Sequence, residues 1–362
     1  MLATVSFALS TTLLKRETNQ TYKLQLIKSA ESYYYYADVA IGGQIVNGVF
    51  DTGSSGFIVS GVNCTVGCNT NKKYDPFKSS TFEGDTIKDI GHIPKGGFVG
   101  DGILPELYFG YGSDKTEVSG IEFKSNFSYL LNITDVPKDF SGILGWQTFT
   151  KGFAEKKVPE IFGITLSNES GEVSFGGPDR SKYTGDITYH NGASTSNYSS
   201  FLLKTKISVN GIDVPISGRE VADGSLAVID SGTAHIELPK LSVDVIHKQF
   251  GQGKWDEGMK NYVIDCTKAE QLPEVIIEFE NSKYPLRAND YILKSTINGT
   301  TICNSAFKPV TDITEMVFKG RKAPKMPASI IGNIFMRKYY SVFDTRDPKN
   351  YKVGFATATS QK

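Results

Sequence analysis

The sequence predicts a mainly β protein built from two similar lobes. Two segments about half the chain apart are nearly alike: residues 49–54 read Val-Phe-Asp-Thr-Gly-Ser, and residues 228–233 read Val-Ile-Asp-Ser-Gly-Thr. The length of 362 residues exceeds what one hydrophobic core usually supports. The 36 Gly, 22 Phe and 18 Tyr, with many short β-branched runs between turn residues, favour strands over helices.

The boundary between the lobes is predicted in the polar stretch at residues 191–197, which lies between two strand-like segments. Residues 17–192 then form an N-terminal lobe, and residues 193–362 form a C-terminal lobe. Helical periodicity is confined to few windows, and the better ones are residues 241–250 and 149–155.

The repeated motif places one aspartate in each lobe, Asp51 and Asp230. The apolar pair before each aspartate predicts a buried strand that ends there. Two carboxyl groups within hydrogen-bonding distance do not both ionise easily, so they share one proton over a broad acidic range. The ionised partner can take a proton from a water molecule, while the protonated partner can donate one to a carbonyl oxygen. Their titration belongs to the pair.

The residues after each aspartate suit that chemistry. A glycine two positions on lets the backbone turn sharply and offer N–H groups to the carboxylates. The hydroxyl next to each aspartate can bond across to the opposite loop, and the hydroxyl three positions on can donate to the neighbouring carboxylate. These predicted supports are Thr52, Gly53, Ser54, Ser231, Gly232 and Thr233.

A third copy of the motif is incomplete. Residues 342–345 repeat Val-Phe-Asp-Thr, but Arg346 stands where the glycine is needed. We therefore predict that Asp344 is structural and that residues 347–350 form a surface turn.

Charge does not indicate an anionic partner. Lys plus Arg equals Asp plus Glu at 39 each, so composition does not favour nucleic acid or an anionic membrane as a partner.

From about Tyr22 onward, the sequence resembles the pepsin family (A1) of two-lobed aspartic proteases. The resemblance rests on the paired motifs and on further segments that match the family's core strands, its threaded strands and its closing hairpin, at residues 36–42, 78–82, 141–145, 171–177, 183–185, 329–333, 339–344 and 353–356. It implies a pepsin-like acid protease fold with a catalytic cleft between the lobes. The short second motif and the cysteine pattern are closest to those of secreted proteases of yeasts and other fungi.

The resemblance also implies a β-hairpin flap over the cleft, with a Tyr near its tip. The matching region, residues 94–104, is rich in glycine but has no Tyr at the expected place. Lys95 falls nearest in a gapless alignment, and Phe98 is the nearest aromatic residue. We therefore assign the substrate flap to Lys95, Gly96, Gly97 and Phe98. The first loop also lacks the usual Trp, because Phe57-Ile58-Val59 follows the motif.

Four cysteines allow three disulfide connectivities, and spacing alone does not choose among them. A metal site is the alternative, but the four histidines show no ligand spacing beside the cysteines, and we expect them to be neutral. The resemblance favours Cys64–Cys68 and Cys266–Cys303.

Seven Asn-x-Ser/Thr sequons suit a secreted glycoprotein, although folding at Cys64 can outrun glycosylation of its neighbour. They are Asn19, Asn63, Asn126, Asn132, Asn168, Asn197 and Asn298.

Residues 1–16 are interpreted as a signal or processing remnant. The apolar run of Met1–Leu14 is shorter than the ~20 residues that span a bilayer. Lys15-Arg16 is typical of a dibasic processing site. The resemblance implies a zymogen with a longer basic prosegment than these residues supply. The last residues carry no hydrophobic tail, so no membrane anchor is expected.

Two classes of function remain open from the sequence. The leading hypothesis is an endopeptidase that cleaves an extended peptide or protein at acidic pH, needs no cofactor, works as a monomer, and is secreted or held in the secretory-pathway lumen or vacuole. The alternative is a pepsin-like protein that binds peptides with weak or no cleavage, because the flap Tyr is missing. A serine hydrolase is disfavoured, since residues 53–56 have no nucleophile-elbow pattern.

Overall fold

The computed structural model describes residues 21–30, 32–84, 91–93, 97–99, 102–104, 107–133, 140–193, 200–216, 220–221, 224–297, 299–310, 317–318, 321–322 and 329–359. Over these residues the protein is mainly β, as the sequence predicts.

The first half of the described chain contains the following strands and one longer helix. They are β1 Tyr22–Lys28, β2 Tyr35–Ile41, β3 Gln44–Asp51, β4 Phe57–Ser60, β5 Glu83–Gly84, β6 Gly91–Ile93, β7 Gly97–Val99, β8 Gly102–Leu104, β9 Leu107–Val118, β10 Ile121–Ile133, β11 Gly142–Gly145, α1 Trp146–Glu155, β12 Ile161–Leu166, β13 Ser170–Phe175 and β14 Tyr183–Asn191.

The second half of the described chain adds further strands and three helices. They are β15 Phe201–Val209, β16 Ile212–Asp213, β17 Glu220–Val221, β18 Gly224–Ile229, β19 Ile236–Leu238, α2 Lys240–Phe250, β20 Lys254–Asp256, β21 Asn261–Ile264, β22 Val275–Phe279, β23 Ser282–Leu286, α3 Ala288–Tyr291, β24 Ile292–Ile297, β25 Thr300–Ser305, β26 Phe307–Pro309, β27 Val317–Phe318, β28 Arg321–Lys322, β29 Ile330–Ile331, α4 Asn333–Lys338, β30 Tyr339–Asp344 and β31 Lys352–Ala358.

A large sheet carries the first half. Its order is β14-β31-β30-β12-β13-β1-β2-β3-β11-β4-β10-β9-β5, with β6 paired to β9. Strand β1 shows the expected alternation, because Leu24 and Leu26 are buried while Lys23 and Gln25 point outward. Strand β12 is buried along its whole length, as an apolar run between two packed faces should be.

A second sheet carries most of the second half, in the order β23-β22-β15-β18-β29-β19-β26. A smaller sheet, β20-β21-β25-β24, is built from two strand pairs that flank β22 and β23 in the sequence. The last two strands, β30 and β31, return to the large sheet and pair with β12 and β14. The predicted division at residues 192/193 stays a prediction, and the topology adds that the end of the chain joins the first sheet.

Both halves build the same arrangement around their aspartate. In the first half β11 threads between β3, to which it is parallel, and β4, to which it is antiparallel. In the second half β29 threads in the same way between β18 and β19. A helix follows each threaded strand directly, α1 after Gly145 and α4 after Gly332. This repeated topology agrees with the duplication read from the sequence.

The core reaches directly under the first motif. Phe50 is buried, and its ring lies 5.5 Å from that of Phe149 and 6.0 Å from that of Phe162, measured between centroids. Offset and edge-on aromatic packing of this kind stabilises a core beyond its burial alone. The residue before the first aspartate is therefore fixed by packing.

The predicted helices are confirmed. The window at residues 241–250 lies in α2, and the window at 149–155 lies in α1, which begins three residues earlier. In α2 the residues Val243, Ile246 and Phe250 are buried, as the spacing requires.

Both predicted disulfides are present. Cys64 bonds Cys68, and Cys266 bonds Cys303, so all four cysteines are paired. Among the described residues, no group of His, Cys, Asp and Glu side chains is arranged to hold a metal ion. Within the same residues, no helix combines the length and the apolar character that a bilayer span requires.

The two disulfides should differ in their contribution to stability. The Cys266–Cys303 bond spans 37 positions and the Cys64–Cys68 bond spans 4. Loop-closure entropy predicts that replacing both Cys266 and Cys303 by Ser lowers the free energy of unfolding by about 4 kcal/mol. Replacing both Cys64 and Cys68 should lower it by about 2 kcal/mol. Urea unfolding of the two double variants measures this. Equal losses would contradict the entropic account.

Candidate active site

The fold brings the two predicted aspartates together. Asp51 ends β3, and Asp230 follows β18. Both are buried, at 8% and 6% exposure. Each is reached by a strand whose apolar residues pack into a core, so neither aspartate can move without moving its sheet.

Each carboxylate receives two hydrogen bonds from its own loop, in the same pattern. The glycine N–H donates to Oδ1, and the hydroxyl three residues after the aspartate donates to Oδ2. The donors are Gly53 N (2.7 Å) and Ser54 Oγ for Asp51, and Gly232 N (2.7 Å) and Thr233 Oγ1 (2.6 Å) for Asp230. These are the roles predicted from the motif.

The two loops also hold each other. The N–H of Thr52 donates to Ser231 Oγ (3.1 Å), and the N–H of Ser231 donates to Thr52 Oγ1 (2.9 Å). Each hydroxyl then donates to a carbonyl on the opposite side, Thr52 Oγ1 to Ile229 O (2.9 Å) and Ser231 Oγ to Phe50 O (2.6 Å). We call these four bonds the cross-loop bonds. They are buried, where a hydrogen bond is strong and a missing partner is costly.

The two glycines are required by close approach of the loops. A Cβ on Gly53 would lie 2.5 Å from Asp230 Cγ, and a Cβ on Gly232 would lie 2.5 Å from Asp51 Oδ1. Each carboxyl therefore sits against the backbone of the other loop, which leaves no room for any side chain there.

The environment makes a charged Asp230 unfavourable. Burial raises the pKa of this carboxyl well above its usual range, and the charge of Asp51 and a hydrogen bond between the two side chains raise it further. Donation from Thr233 and Gly232 opposes these effects. A carboxyl that keeps its proton beside another carboxyl is what the proton-sharing chemistry needs.

Comparison with known proteins agrees with this geometry. A sequence profile described as "Eukaryotic aspartyl protease" matches residues 34–358. The chain belongs to that family. It is therefore an aspartic endopeptidase, a peptide hydrolase.

Curated relatives match over most of their length. Cathepsin D of Mus musculus is 29% identical over 361 residues, which cover 92% of this chain and 83% of the relative. Renin of Echis ocellatus is 29% identical over 349 residues, covering 90% and 80%. Cathepsin D of Gallus gallus is 28% identical over 355 residues, covering 92% and 82%. These relatives are vertebrate proteins, so the predicted likeness to fungal proteases stays a prediction.

The flap region of this aspartyl protease forms a hairpin. Strand β6 pairs with β9, and β7 pairs with β8, with Gly97 opposite Leu104 and Val99 opposite Gly102. Phe98 lies in β7, whereas Lys95 and Gly96 precede that strand and lie outside the described residues, as do residues 100–101.

Asp344 of the incomplete third motif is paired with Arg346. The guanidinium of Arg346 donates to the Asp344 carboxylate, which supports a structural role for that aspartate. Burial lowers the pKa of His190, and lowers that of His247 to about 4, so both are neutral near pH 7 as expected. Residues 1–20 lie outside the described part of the chain, together with the sequons at Asn19, Asn197 and Asn298.

One residue at the site was not predicted. Asn333, the first residue of α4, is fully buried and donates to the main chain of the second aspartate loop. In the sequence, Asn333 is the last residue of the segment 329–333 that resembles the family's threaded strand, and this resemblance assigns no role to its side chain. That position gives no indication of where the carboxamide points.

Replacing Gly232 by Ala should abolish activity with a smaller effect on folding. The added methyl group would occupy the space of the Asp51 carboxylate and force the two carboxyls apart. We expect kcat/KM to fall by at least about 1000-fold, since both proton transfers depend on that geometry. Gly177→Ala is a matched control, because its Cβ would meet no atom within 4 Å. Near-native cleavage by Gly232→Ala would contradict the close contact of the loops.

Proposed function

We propose that Asp51 and Asp230 are the catalytic pair of an acid-active endopeptidase. The observation that carries this proposal is the joint burial of the two carboxyls, where burial and then the charge of Asp51 raise the pKa of Asp230. The hydrogen bonds from glycine N–H groups and hydroxyls hold both carboxyls in place before substrate arrives, so no reorganisation is needed during the reaction.

The proposed reaction conserves protons between the pair and the substrate. The ionised carboxyl takes a proton from water, whose oxygen bonds to the scissile carbonyl carbon, while the protonated carboxyl donates to the carbonyl oxygen. The C–N bond of the tetrahedral diol then breaks: the amine nitrogen takes a proton from the pair, and one diol hydroxyl returns its proton to the pair as the new carboxyl group forms. The pair ends with one proton, as it began. No cofactor enters this scheme.

The substrate is proposed to be an extended peptide or a protein segment, held between the lobes under the hairpin formed by β6 to β9. Closure of such a hairpin positions the peptide and excludes water. We propose that the enzyme acts as a monomer, because each chain carries both motifs.

We propose a secreted or lumenal location, the vacuole included. Both disulfides suit an oxidising compartment.

Of the sequons in the described residues, Asn63, Asn126 and Asn168 are exposed, so they are the proposed glycosylation sites. Asn132 is half-buried, which makes it a poorer site for glycan attachment than the three exposed sequons. A zymogen form with removal of residues 1–16 after Lys15-Arg16 is part of this proposal.

Replacing either aspartate by Asn should abolish cleavage of denatured haemoglobin or casein, with a loss of about 10,000-fold or more, because the amide cannot share a proton. Native activity should be acidic and should fall as the pH rises through the raised pKa of Asp230. Asp344→Asn is the matched control, since it alters the incomplete third motif and should keep native kcat.

Stability supplies a second measurement on the same variant. A raised pKa in the folded state favours folding at low pH, and this contribution is lost as the pH rises through that pKa. Asp230→Asn removes the buried charge, so its melting temperature near pH 7 should equal or exceed that of the native enzyme. Substantial cleavage by Asp230→Asn would reject the mechanism. A folded native enzyme without cleavage at any pH from 2 to 7 would favour the peptide-binding alternative.

We propose that Phe98, the aromatic residue of β7, acts at the flap. Phe98→Ala should lower kcat/KM by about 10-fold or more, because the hairpin loses its aromatic side chain. Phe98→Tyr should raise it by about 10-fold through one added oriented hydrogen bond. Lys95→Tyr serves as the control and should change kcat/KM by less than about twofold. A rise with Lys95→Tyr but not with Phe98→Tyr would place Lys95 over the cleft instead.

A further inference from the structure

The carboxamide of Asn333 links the second aspartate loop to the first half of the chain. The side chain is 0% exposed. Its Nδ2 donates to Ser231 O (3.0 Å) and to Tyr33 O (2.9 Å). Both protons of the amide are used, and both acceptors are main-chain carbonyls.

The orientation of this carboxamide is fixed by its acceptors. A flipped amide would turn Oδ1 toward two carbonyl oxygens, which cannot donate. In the observed orientation Oδ1 is buried and has no hydrogen-bond partner among the described residues. An unpaired buried acceptor is unfavourable. The two hydrogen bonds that Nδ2 donates offset this free-energy cost.

The bond to Ser231 acts on the Asp230 carboxylate through one peptide group. The carbonyl of Ser231 and the N–H of Gly232 belong to the same planar unit. That N–H donates to Asp230 Oδ1 at 2.7 Å. Fixing the oxygen therefore fixes the direction in which the N–H points.

The other end of the link is itself anchored. The ring of Tyr33 has the Arg337 guanidinium 5.1 Å from its centroid and the Lys28 ammonium 4.7 Å from it. Helix α4 therefore holds Tyr33 twice, through Asn333 at its carbonyl and through Arg337 at its ring. Cation–π contacts of this kind add to the packing that keeps Tyr33 in place.

The first half has a different residue at the matched position. Trp146 follows Gly145 as Asn333 follows Gly332. Its indole packs 4.5 Å from the ring of Phe201 and 6.1 Å from that of Phe162. An indole has one donor and no carboxamide, so the two aspartate loops are supported differently behind otherwise matched motifs.

We propose that Asn333 is a positioning residue for catalysis, which orients the Ser231–Gly232 peptide so that its N–H points at Asp230. This rests on the proposed role of Asp51 and Asp230 as the catalytic pair. Asn333 acts through the main chain and has no direct contact with the substrate in this role.

The hydrogen bond from the Gly232 N–H to Asp230 decides in which direction the loss of Asn333 should shift the pH profile. Donation from Gly232 stabilises the ionised form of Asp230 and lowers its pKa. Weakening that bond raises the pH at which the pair loses its shared proton. The charged group that acts on Asp230 across the loops is Asp51, and the cations at the far end of the link are Lys28 and Arg337, which contact Tyr33.

The test compares pH profiles of native enzyme, Asn333→Ala and Asn333→Asp on one peptide substrate, with rates normalised by titration with a statine-type inhibitor. For Asn333→Ala we expect kcat to fall by about 10-fold with KM within about twofold. The alkaline limb should move up by about half a pH unit or more, as expected for a weakened bond to a charged group.

Asn333→Asp adds a conditional rescue. Its carboxyl can donate one O–H to a carbonyl while protonated and nothing once ionised. Its kcat should therefore approach the native value at the most acidic pH and fall toward that of Asn333→Ala as the pH rises.

Asn261→Ala is the matched control for a purely structural loss. Asn261 is also buried, and its Nδ2 donates to Ser305 O at 2.9 Å, outside the aspartate loops. This variant should have a lower melting temperature, with both the acid and the alkaline limb of its pH–rate profile unchanged.

Unchanged limbs in Asn333→Ala, with a profile like that of Asn261→Ala, would overturn the proposal, and so would an alkaline limb that moves to lower pH. Failure of the proposed function looks different, because native enzyme would then show no cleavage or Asp230→Asn would retain it.

Discussion

Two carboxyl groups that disfavour each other's charge are kept in contact by the hydrogen bonds between the loops that carry them. The cross-loop bonds of Thr52 and Ser231 join main chain to hydroxyl in both directions, and each hydroxyl also reaches a carbonyl at the end of the opposite strand. Because all four bonds are buried, breaking one leaves a polar group without water to replace it. The cross-loop bonds therefore hold the two loops in a fixed relative position, and this keeps the two carboxyls close together.

The strands beneath the loops transmit this constraint into the two cores. Phe50 offers its carbonyl to Ser231, while its ring lies among Phe149 and Phe162. Ile229, fully buried, offers its carbonyl to Thr52. Packing in each half thus fixes the acceptor that the other half needs. A core substitution beneath either loop would act on catalysis through these two carbonyls, without any contact to the substrate.

The two matched aspartate loops have different surroundings. Such a difference suits chemistry in which one carboxyl donates a proton while the other accepts one. Burial and Asp51 raise the pKa of Asp230, and a carboxyl that retains its proton can act as donor while its neighbour acts as acceptor. Asn333 lies behind the second loop, and Trp146 occupies the matched position behind the first. The matched main chain brings the two carboxyls together, while the side chains behind the two loops differ.

The sequence by itself determined the parts that depend on local pattern. Asp51 and Asp230, the glycines and hydroxyls after them, the helices at α1 and α2 and the structural role of Asp344 follow from residue order, since strands, turns and short-range donors are set within a few positions. Other features depend on contacts between distant residues, which local pattern does not encode. Tertiary structure decided that β30 and β31 return to the large sheet, that Phe98 pairs with Ile103 in the flap hairpin, and that Asn333 reaches Ser231 and Tyr33, 102 and 300 positions away. A side chain's direction after a threaded strand is set by what packs around it, so only the folded chain shows it.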